Sequence, residues 1–519
     1  LILVKLIFML LLIKNSMRKN VTEYLDITEG LYSEKIAVED ANGCITFGEM
    51  KRNALKIAEF CVEQNIFKQP VCVYLPKSKE MVTSFVGTNY SGNFYVPLDI
   101  KSPDTRIRNI LATLNPGLII TDEEHKDQVE NFGLPTVTVG CLCSRKEADL
   151  SVVESARSRQ IDTDPVYSIF TSGSTGIPKG VVISHRGVID YIDWAVDTFH
   201  FTADAKIGNQ APFYFDNSTL DIYLMMATGA TLNIIPESNF MFPAKLVDYL
   251  NEHHVTFVFW VPFVLVNVAN FNIFESKKPE YLKDVFFAGE VMPNKHLNYW
   301  RKHLPSCRYV NLYGPTEITV DCTYYIVERE FADSDPLPIG FPCRNSDVLI
   351  LNDEKKECAI NEEGELCVRG SSLALGYYNN SERTASAFIQ NPLNSAYPEI
   401  IYCTGDIVYK NEQGEIMYVG RKDFQIKHSG YRIELGEIEN AVLGTHMVDS
   451  CCVVYDFKNK QIVLFYQSHE DLNLGEFRKS ILKFIPRYMM PTVNNRVESM
   501  EINANGKIDR KYYTALLNG

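Results

Sequence analysis

Residues Thr171 to Gly180 read Thr-Ser-Gly-Ser-Thr-Gly-Ile-Pro-Lys-Gly, with four hydroxyls and three glycines in ten positions. A run of this kind can wrap a polyphosphate. Glycines let the backbone approach and turn sharply, and exposed N–H groups and hydroxyls point at oxyanions. Lys179 adds a positive charge. In isolation the segment reads equally well as a Gly/Ser-rich surface turn. It does not read as a P-loop, in which Gly-Lys precedes Ser or Thr; here Pro178 precedes Lys179 and Gly180 follows it. The apolar runs on either side, Val166 to Phe170 and Val181 to Ile183, predict strands.

The elements around this loop must hold it in a large molecule. A chain of 519 residues is too long for one core and predicts two to four domains. Hydrophobic content of 46% and charged content of 22% are those of a soluble globular protein. A net charge of -14 argues against a nucleic-acid partner. The thirteen cysteines show no zinc spacing and fit reduced cytosolic thiols, hence a cytoplasmic protein. Residues 1–13 are apolar but too short to span a bilayer, which takes about 20 residues. With Met17 just downstream, residues 1–16 are expected to be an upstream or non-native leader. A peripheral membrane anchor is the alternative reading of these residues, and stable membrane insertion is not expected.

Strand-like and helix-like runs then alternate for about four hundred residues, which predicts α/β layers. Pro70–Leu75, Tyr95–Leu98, Leu118–Thr121 and Phe257–Val261 predict strands, and Met81–Val86 predicts the start of a helix. Near Gly420 the pattern becomes compact α+β. A helix over Glu437–Leu443 leads to strands at Cys452–Tyr455 and Ile462–Tyr466, turned by Lys458–Lys460, and a helix over Gly475–Phe484 follows. The domain boundary is placed at Arg421–Asp423, giving a large domain over 17–421 and a small one over 422–519.

Further segments accompany the loop: Asn-Leu-Tyr-Gly-Pro-Thr-Glu at 311–317, Tyr-Cys-Thr-Gly-Asp at 402–406, Gly-Arg-Lys-Asp-Phe-Gln-Ile-Lys from Gly420, Ser-Gly-Tyr-Arg-Ile-Glu from Ser429 and Asn-Gly-Lys-Ile-Asp-Arg at 505–510. Together they make the chain resemble the adenylate-forming (AMP-binding) superfamily, and within it the amino-acid adenylation domains of peptide synthetases. The resemblance runs from about Ile45 to Lys511. It implies a large multi-sheet α/β domain with a small mobile α+β domain, and ATP and Mg²⁺ as cofactors.

The resemblance also implies roles. Thr171, Ser172, Gly173, Ser174, Thr175, Gly176 and Lys179 would hold the departing pyrophosphate. Tyr313, beside Gly314, would stack on adenine, and Asn311 would offer its amide to the adenine edge. Asp406 would accept the ribose hydroxyls, with Arg421 as a nearby cation. Thr316 would reach the α-phosphate and Glu317 would ligate Mg²⁺. Lys507 would bridge the substrate carboxylate and the α-phosphate, offsetting the repulsion between two anions. Asp423 matches a hinge and Gly430 a glycine bordering the thiol tunnel.

Asp216 would pair with the α-ammonium of an amino acid, a feature that acyl-CoA synthetases usually lack; local sequence alone reads it as a helix N-cap for Leu220–Met226. The side-chain pocket would be Asn217, Leu220, Phe259 (or Trp260), Phe286, Ala288, Leu312, Val320 and Asp321. This bulky apolar lining favours a small or modest substrate, and Asp321 either meets a polar group or is solvated. Gln210–Phe213, Asp221–Tyr223 and Gly289–Val291 resemble the D-alanine–carrier-protein ligases, although those have cysteine at the Ala288 position and an aliphatic residue at Asn217. D-alanine is thus the first expected substrate, with another small amino acid open.

With no condensation motif and no carrier serine after Lys511, the enzyme is expected to stand alone and load a separate phosphopantetheinylated carrier protein. Arg478, Lys479, Lys483 and Arg487 would either dock that carrier or form a solvated helix face. Two rival readings are an acid–CoA ligase and a catalytically inactive scaffold homologue.

Overall fold

The alternating apolar runs pair into two large sheets with helices packed on them, as their length and β-branched content require. The protein is described here from a computed structural model covering residues 18–173, 178–502 and 508–518. The leader, Ser174, Thr175, Gly176 and Lys507 lie outside these described residues.

The first sheet has seven strands in the order Gly376–Tyr377, Lys179–Ser184, Pro165–Thr171, Phe94–Pro97, Pro70–Tyr74, Leu118–Thr121, Thr136–Thr138. Pro165–Thr171 and Lys179–Ser184 are antiparallel, with Thr171 opposite Lys179. The phosphate-loop sequence therefore joins two strands of a hairpin instead of feeding a helix, which is the structural reason it departs from P-loop spacing. Ser184 then caps the helix His185–Phe199, accepting from the Gly187 N–H at 3.2 Å. Such a cap stabilises a helix by about 1 kcal/mol.

The second sheet has nine strands, and its parallel centre includes Lys206–Asn209, Phe257–Trp260, Asp284–Phe287 and Arg308–Tyr313. Strand alternation separates neighbouring side chains. Phe257 and Phe259 enter the core shared with Phe286, Leu312 and Val320, whereas Val258 and Trp260 enter the core on the other face with Val285 and Phe287. In open α/β sheets ligand sites lie beyond the C-terminal ends of such parallel strands.

A third sheet is built from Ser346–Leu351, Gly364–Gly370, Ile400–Lys410 and Phe388–Gln390, with Ile416–Arg421 paired to Ile400–Lys410. Asp406 lies opposite Arg421 in that last pair. The small lobe follows. A hairpin, Gln425–His428 with Tyr431–Glu434, precedes the helix Leu435–Gly444 and a sheet of Ser450–Asp456, Gln461–Gln467 and Val493–Val497. The helix expected over Gly475–Phe484 spans Leu474–Ile481, and the turn at Lys458–Lys460 joins the two antiparallel strands. All thirteen cysteines are free. No helix among the described residues is long and apolar enough to cross a membrane.

Candidate active site

The segment after strand Arg308–Tyr313 is the centre of the cleft. Gly314 passes so close to it that a Cβ would lie 2.3 Å from the Val320 carbonyl oxygen, so this glycine is required by backbone packing, whatever else it touches. Thr319 and Val320 both hold positive φ, +57° and +70°. Each such β-branched residue stores about 1–3 kcal/mol of strain, a cost typical of functional loops. The strained turn places Asp321 in the interior, only 2% exposed, where it accepts a hydrogen bond from Tyr191 Oη at 2.6 Å. Burial, with repulsion from Asp216, pushes the Asp321 carboxyl up to about 7. The expectation that it could be solvated is overturned: the helix His185–Phe199 covers it and supplies Tyr191.

Asp216 precedes the helix Ser218–Thr228, whose N-cap residue is Asn217 and makes no side-chain cap bond. The N-cap reading of Asp216 thus fails, and its carboxylate is left to the cleft. Burial raises its pKa, countered by Thr316 and by the ammonium of Lys427. Asn217 Nδ2 is buried without a partner. Leu220, Phe259, Phe286, Ala288, Leu312 and Val320 all belong to one apolar cluster, whereas Trp260 lies in the cluster on the other face of its strand. Trp260 instead donates its indole N–H to the Gly208 carbonyl at 2.8 Å.

On the opposite wall, Tyr313 donates its hydroxyl to Asp406 Oδ2, and Arg421 Nη1 donates to Asp406 Oδ1 at 2.8 Å. Arg421 also clasps Asp423, with Nε to Oδ1 at 2.6 Å. Asn311 donates from its amide Nδ2 to the Pro338 carbonyl at 2.8 Å, which fixes the orientation of the side chain.

Glu317 is fully buried and its charge is completely matched. Lys179 Nζ contacts Oε1 at 2.9 Å, Tyr377 Oη donates to Oε1 at 2.8 Å, and Arg432 Nη1 donates to Oε2 at 2.7 Å. Burial alone would raise the pKa of Glu317, but Arg432 and Lys179 hold it well below the usual carboxylate range. Burial, with repulsion from Arg432, lowers Lys179 to about 8 against the pull of Glu317. With both oxygens engaged by cations, Glu317 does not fit a Mg²⁺ ion in this arrangement. Lys179, expected on pyrophosphate, is likewise occupied.

Arg432 comes from the small lobe, and the sequence reading did not single it out. Nor did it find Lys427, which lies opposite Arg432 in the hairpin and reaches to 6.0 Å from the centre of the Tyr313 ring. Burial lowers the Lys427 pKa, partly offset by Asp406 and Asp216. A usable signal existed: in an antiparallel hairpin with a two-residue turn at 429–430, residues 427 and 432 share a face. Glu290 was also missed; its Oε1 accepts from the Gly430 N–H at 2.9 Å. Tyr431 stacks on Tyr488 at 3.7 Å and meets the edge of Phe215 at 4.9 Å. The residue flanking Lys507 that is described, Ile508, packs with Val493, Val497 and Tyr513 in the small lobe. Arg478, Lys479, Lys483 and Arg487 are exposed, and the Lys483 carbonyl accepts from Thr105 Oγ1 of the large lobe.

This arrangement matches known proteins over its length. A family described as AMP-binding enzyme matches residues 28–378. The chain is 31% identical, over 92% of its length and 95% of theirs, to the L-proline--[L-prolyl-carrier protein] ligase of Pseudomonas fluorescens. It is 29% identical to the D-alanine--D-alanyl carrier protein ligase of Lacticaseibacillus casei, over 96% of this chain and 99% of that one. The Vibrio cholerae adenylation domain AlmE, solved in complex with glycyl-adenosine-5'-phosphate, superimposes with a TM-score of 0.81 at 22% identity, over 97% of this chain and 98% of that one. The protein belongs to the AMP-binding enzyme family, and its fold is that of an adenylation domain with a large N-terminal and a small C-terminal lobe.

Proposed function

We propose that this protein is an ATP-dependent amino acid–carrier-protein ligase acting in the cytoplasm. In the first half-reaction the amino-acid carboxylate oxygen attacks the α-phosphorus of ATP, and the bond to pyrophosphate breaks. In the second, the phosphopantetheine thiol of a separate carrier protein attacks the acyl carbon. The thiol proton is lost, and AMP leaves with the electron pair of the broken bond.

One observation carries the reading: Asp216 is released from any capping role, and the apolar residues proposed for the substrate side chain, Phe259, Phe286 and Leu312, fall in one buried cluster. A half-buried carboxylate beside a mostly apolar wall suits an α-ammonium on a small side chain. D-alanine is the first expected substrate, with another small amino acid of either hand as the alternative. Tyr313, Asp406 and Arg421 are the proposed adenosine contacts, Thr316 the proposed α-phosphate contact, and Lys507 the proposed bridge in adenylation. The lobes are assigned to 17–421 and 422–519, with Asp423 as hinge. Mg²⁺ has no place on Glu317 in the arrangement described, and neither step above runs through it.

ATP–pyrophosphate exchange with a panel of L- and D-amino acids tests the proposal. Exchange with one small amino acid supports it. Exchange only with an acid lacking the amine would make the protein a CoA-ligase relative, and silence across both panels would make it an inactive homologue.

A further inference from the structure

Cys367 of strand Gly364–Gly370 and Cys403 of strand Ile400–Lys410 stand directly opposite one another in the antiparallel ladder of the third sheet. Residues paired in this way have Cα atoms about 4.5–5.5 Å apart, within the range a disulfide needs. Their sulfurs are in contact, the Cys367 thiol donating to Cys403 Sγ at 3.6 Å. The two thiols differ in surroundings. Cys367 is wholly buried with Leu349, Leu351 and Ile401, on the face of the sheet opposite the core that Leu366 and Val368 share with Tyr313. Cys403 is only partly buried. The hydrogen bond from Cys367 holds Cys403 below the ordinary thiol range, and Lys355 and Lys422 pull the same way against burial and Glu365. The same bond, with burial, pushes the Cys367 thiol up. A reachable thiol with thiolate character beside a buried partner is the arrangement of an attacking and a resolving cysteine.

The ladder slips beside this pair, since the next registered pair is Glu365 with Ile407. Thr404, Gly405 and Asp406 form the bulge, with Gly405 at a φ of +74°. Thr404 Oγ1 donates to the Leu366 carbonyl at 2.8 Å, the Gly405 N–H to Glu365 Oε1 at 3.1 Å, and Arg421 Nη2 to the Thr404 carbonyl at 3.1 Å. Bulges re-aim side chains, and this one turns Asp406 to Tyr313 and Arg421. We propose that Cys367 and Cys403 are a reversible disulfide site, oxidised by a hydroperoxide, whose closure weakens nucleotide binding at Asp406. The Cys403 sulfur attacks one oxygen of hydrogen peroxide, the O–O bond breaks, and the other oxygen leaves as water with the Cys403 proton. The Cys367 sulfur then attacks the sulfenic sulfur of Cys403, the S–O bond breaks, and a second water carries off the Cys367 proton. Two thiols and one peroxide give one disulfide and two waters; the sulfurs lose the two electrons that the peroxide gains. The sulfurs must close from 3.6 Å to about 2.05 Å, and the pull on Cys403 falls on the residue next to Thr404. The nucleotide effect rests on the proposed reading of Asp406 as an adenosine contact, whereas the disulfide does not.

The test joins a peptide map to a binding measurement. The full chain is treated with hydrogen peroxide, remaining thiols are blocked with N-ethylmaleimide, and a non-reducing digest is read by mass spectrometry. A linked pair of peptides holding Cys367 and Cys403 is expected, and dithiothreitol should remove it. ATP affinity, read by calorimetry, should be about tenfold weaker in the oxidised protein and return on reduction, the effect of weakening one charged hydrogen bond. In Cys367→Ala, peroxide should stop at a sulfenic acid on Cys403, trapped by dimedone, with no fall in ATP affinity. Cys403→Ser should form neither product. Absence of the link, links to other cysteines in its place, or an equal loss of affinity in Cys367→Ala would overturn the inference. So would a mapped link that leaves ATP affinity unchanged. A reduced protein that binds no ATP would sink the adenosine reading and the nucleotide effect with it, while the peptide map alone would still decide the disulfide.

Discussion

Gly430 of the small lobe approaches Val261 of the large lobe so closely that a Cβ on it would lie 2.8 Å from Val261 Cγ1. Its φ of +84° is itself a conformation that L side chains rarely adopt. The close approach and the Glu290 hydrogen bond seat the hairpin turn against the end of strand Phe257–Trp260. A Leu at position 430 would clash there and block the docked arrangement. Gly430→Leu is therefore expected to retain amino-acid-dependent pyrophosphate exchange within about twofold and to lose carrier loading by ~10²-fold or more. Parallel assays of exchange and of acyl transfer to a carrier protein check this. Equal loss in both assays would show that the turn serves folding alone.

Two lysines are expected to divide the reaction. Lys427 stands beside Tyr313 in the docked arrangement. Lys507 is expected to act in adenylation. Lys507→Ala should reduce pyrophosphate exchange by ~10²–10³-fold while ATP binding persists, the usual effect of removing one group that stabilises transition-state charge. Lys427→Ala should leave exchange nearly intact and slow thioester formation. Single-turnover measurement of each half-reaction decides it; exchange surviving in Lys507→Ala would remove that residue from the mechanism.

Asp216 should control the requirement for an amine. Asp216→Asn keeps the shape of the side chain but removes the charge that would balance an ammonium, a loss worth ~10²-fold or more in amino-acid-dependent exchange. The effect should appear in KM for the amino acid with little change in KM for ATP. If both constants move together, Asp216 supports the cleft as a whole.

His185 supplies a pH signature. It is buried at the start of the helix His185–Phe199, accepts weakly from the Val21 N–H at 3.4 Å and has no partner at Nε2. Burial pushes its pKa down to about 4 from 6.5, against the pull of Asp164 and Asp162. Between those values the unfolded chain binds a proton that the folded protein refuses, so stability falls as pH drops from about 6.5 toward 4 and is full above that window. The whole effect is about 3 kcal/mol. Urea unfolding at pH 7 and pH 5 should show a smaller loss in His185→Asn than in the native protein, by about 2 kcal/mol. An identical pH slope in both proteins would place the acid sensitivity elsewhere.

The nucleotide motifs were legible because each is a short run whose residue types are fixed by local backbone needs. Thr171 and Lys179 are brought opposite by a hairpin whose strands announce themselves as apolar runs. Asp406 and Arg421 pair across neighbouring strands in the same way. Less could be read where the answer depended on which face of a strand turned inward. The choice between Phe259 and Trp260 is one residue of register, and alternation along the strand reverses it completely. Asp321 reads as either a solvated acid or one that meets a polar group until Tyr191, 130 residues away, is seen bonded to it.

By itself, the order of residues determined the family and the two-lobed α/β architecture, since these follow from patterns spanning a few positions. The partners of Glu317 were decided only in three dimensions. Lys179, Tyr377 and Arg432 lie 138, 60 and 115 residues from it along the chain, and nothing local to any of them requires the meeting. A buried carboxylate must be neutralised by whatever cation the packed lobes deliver, and that delivery is a property of how the lobes dock.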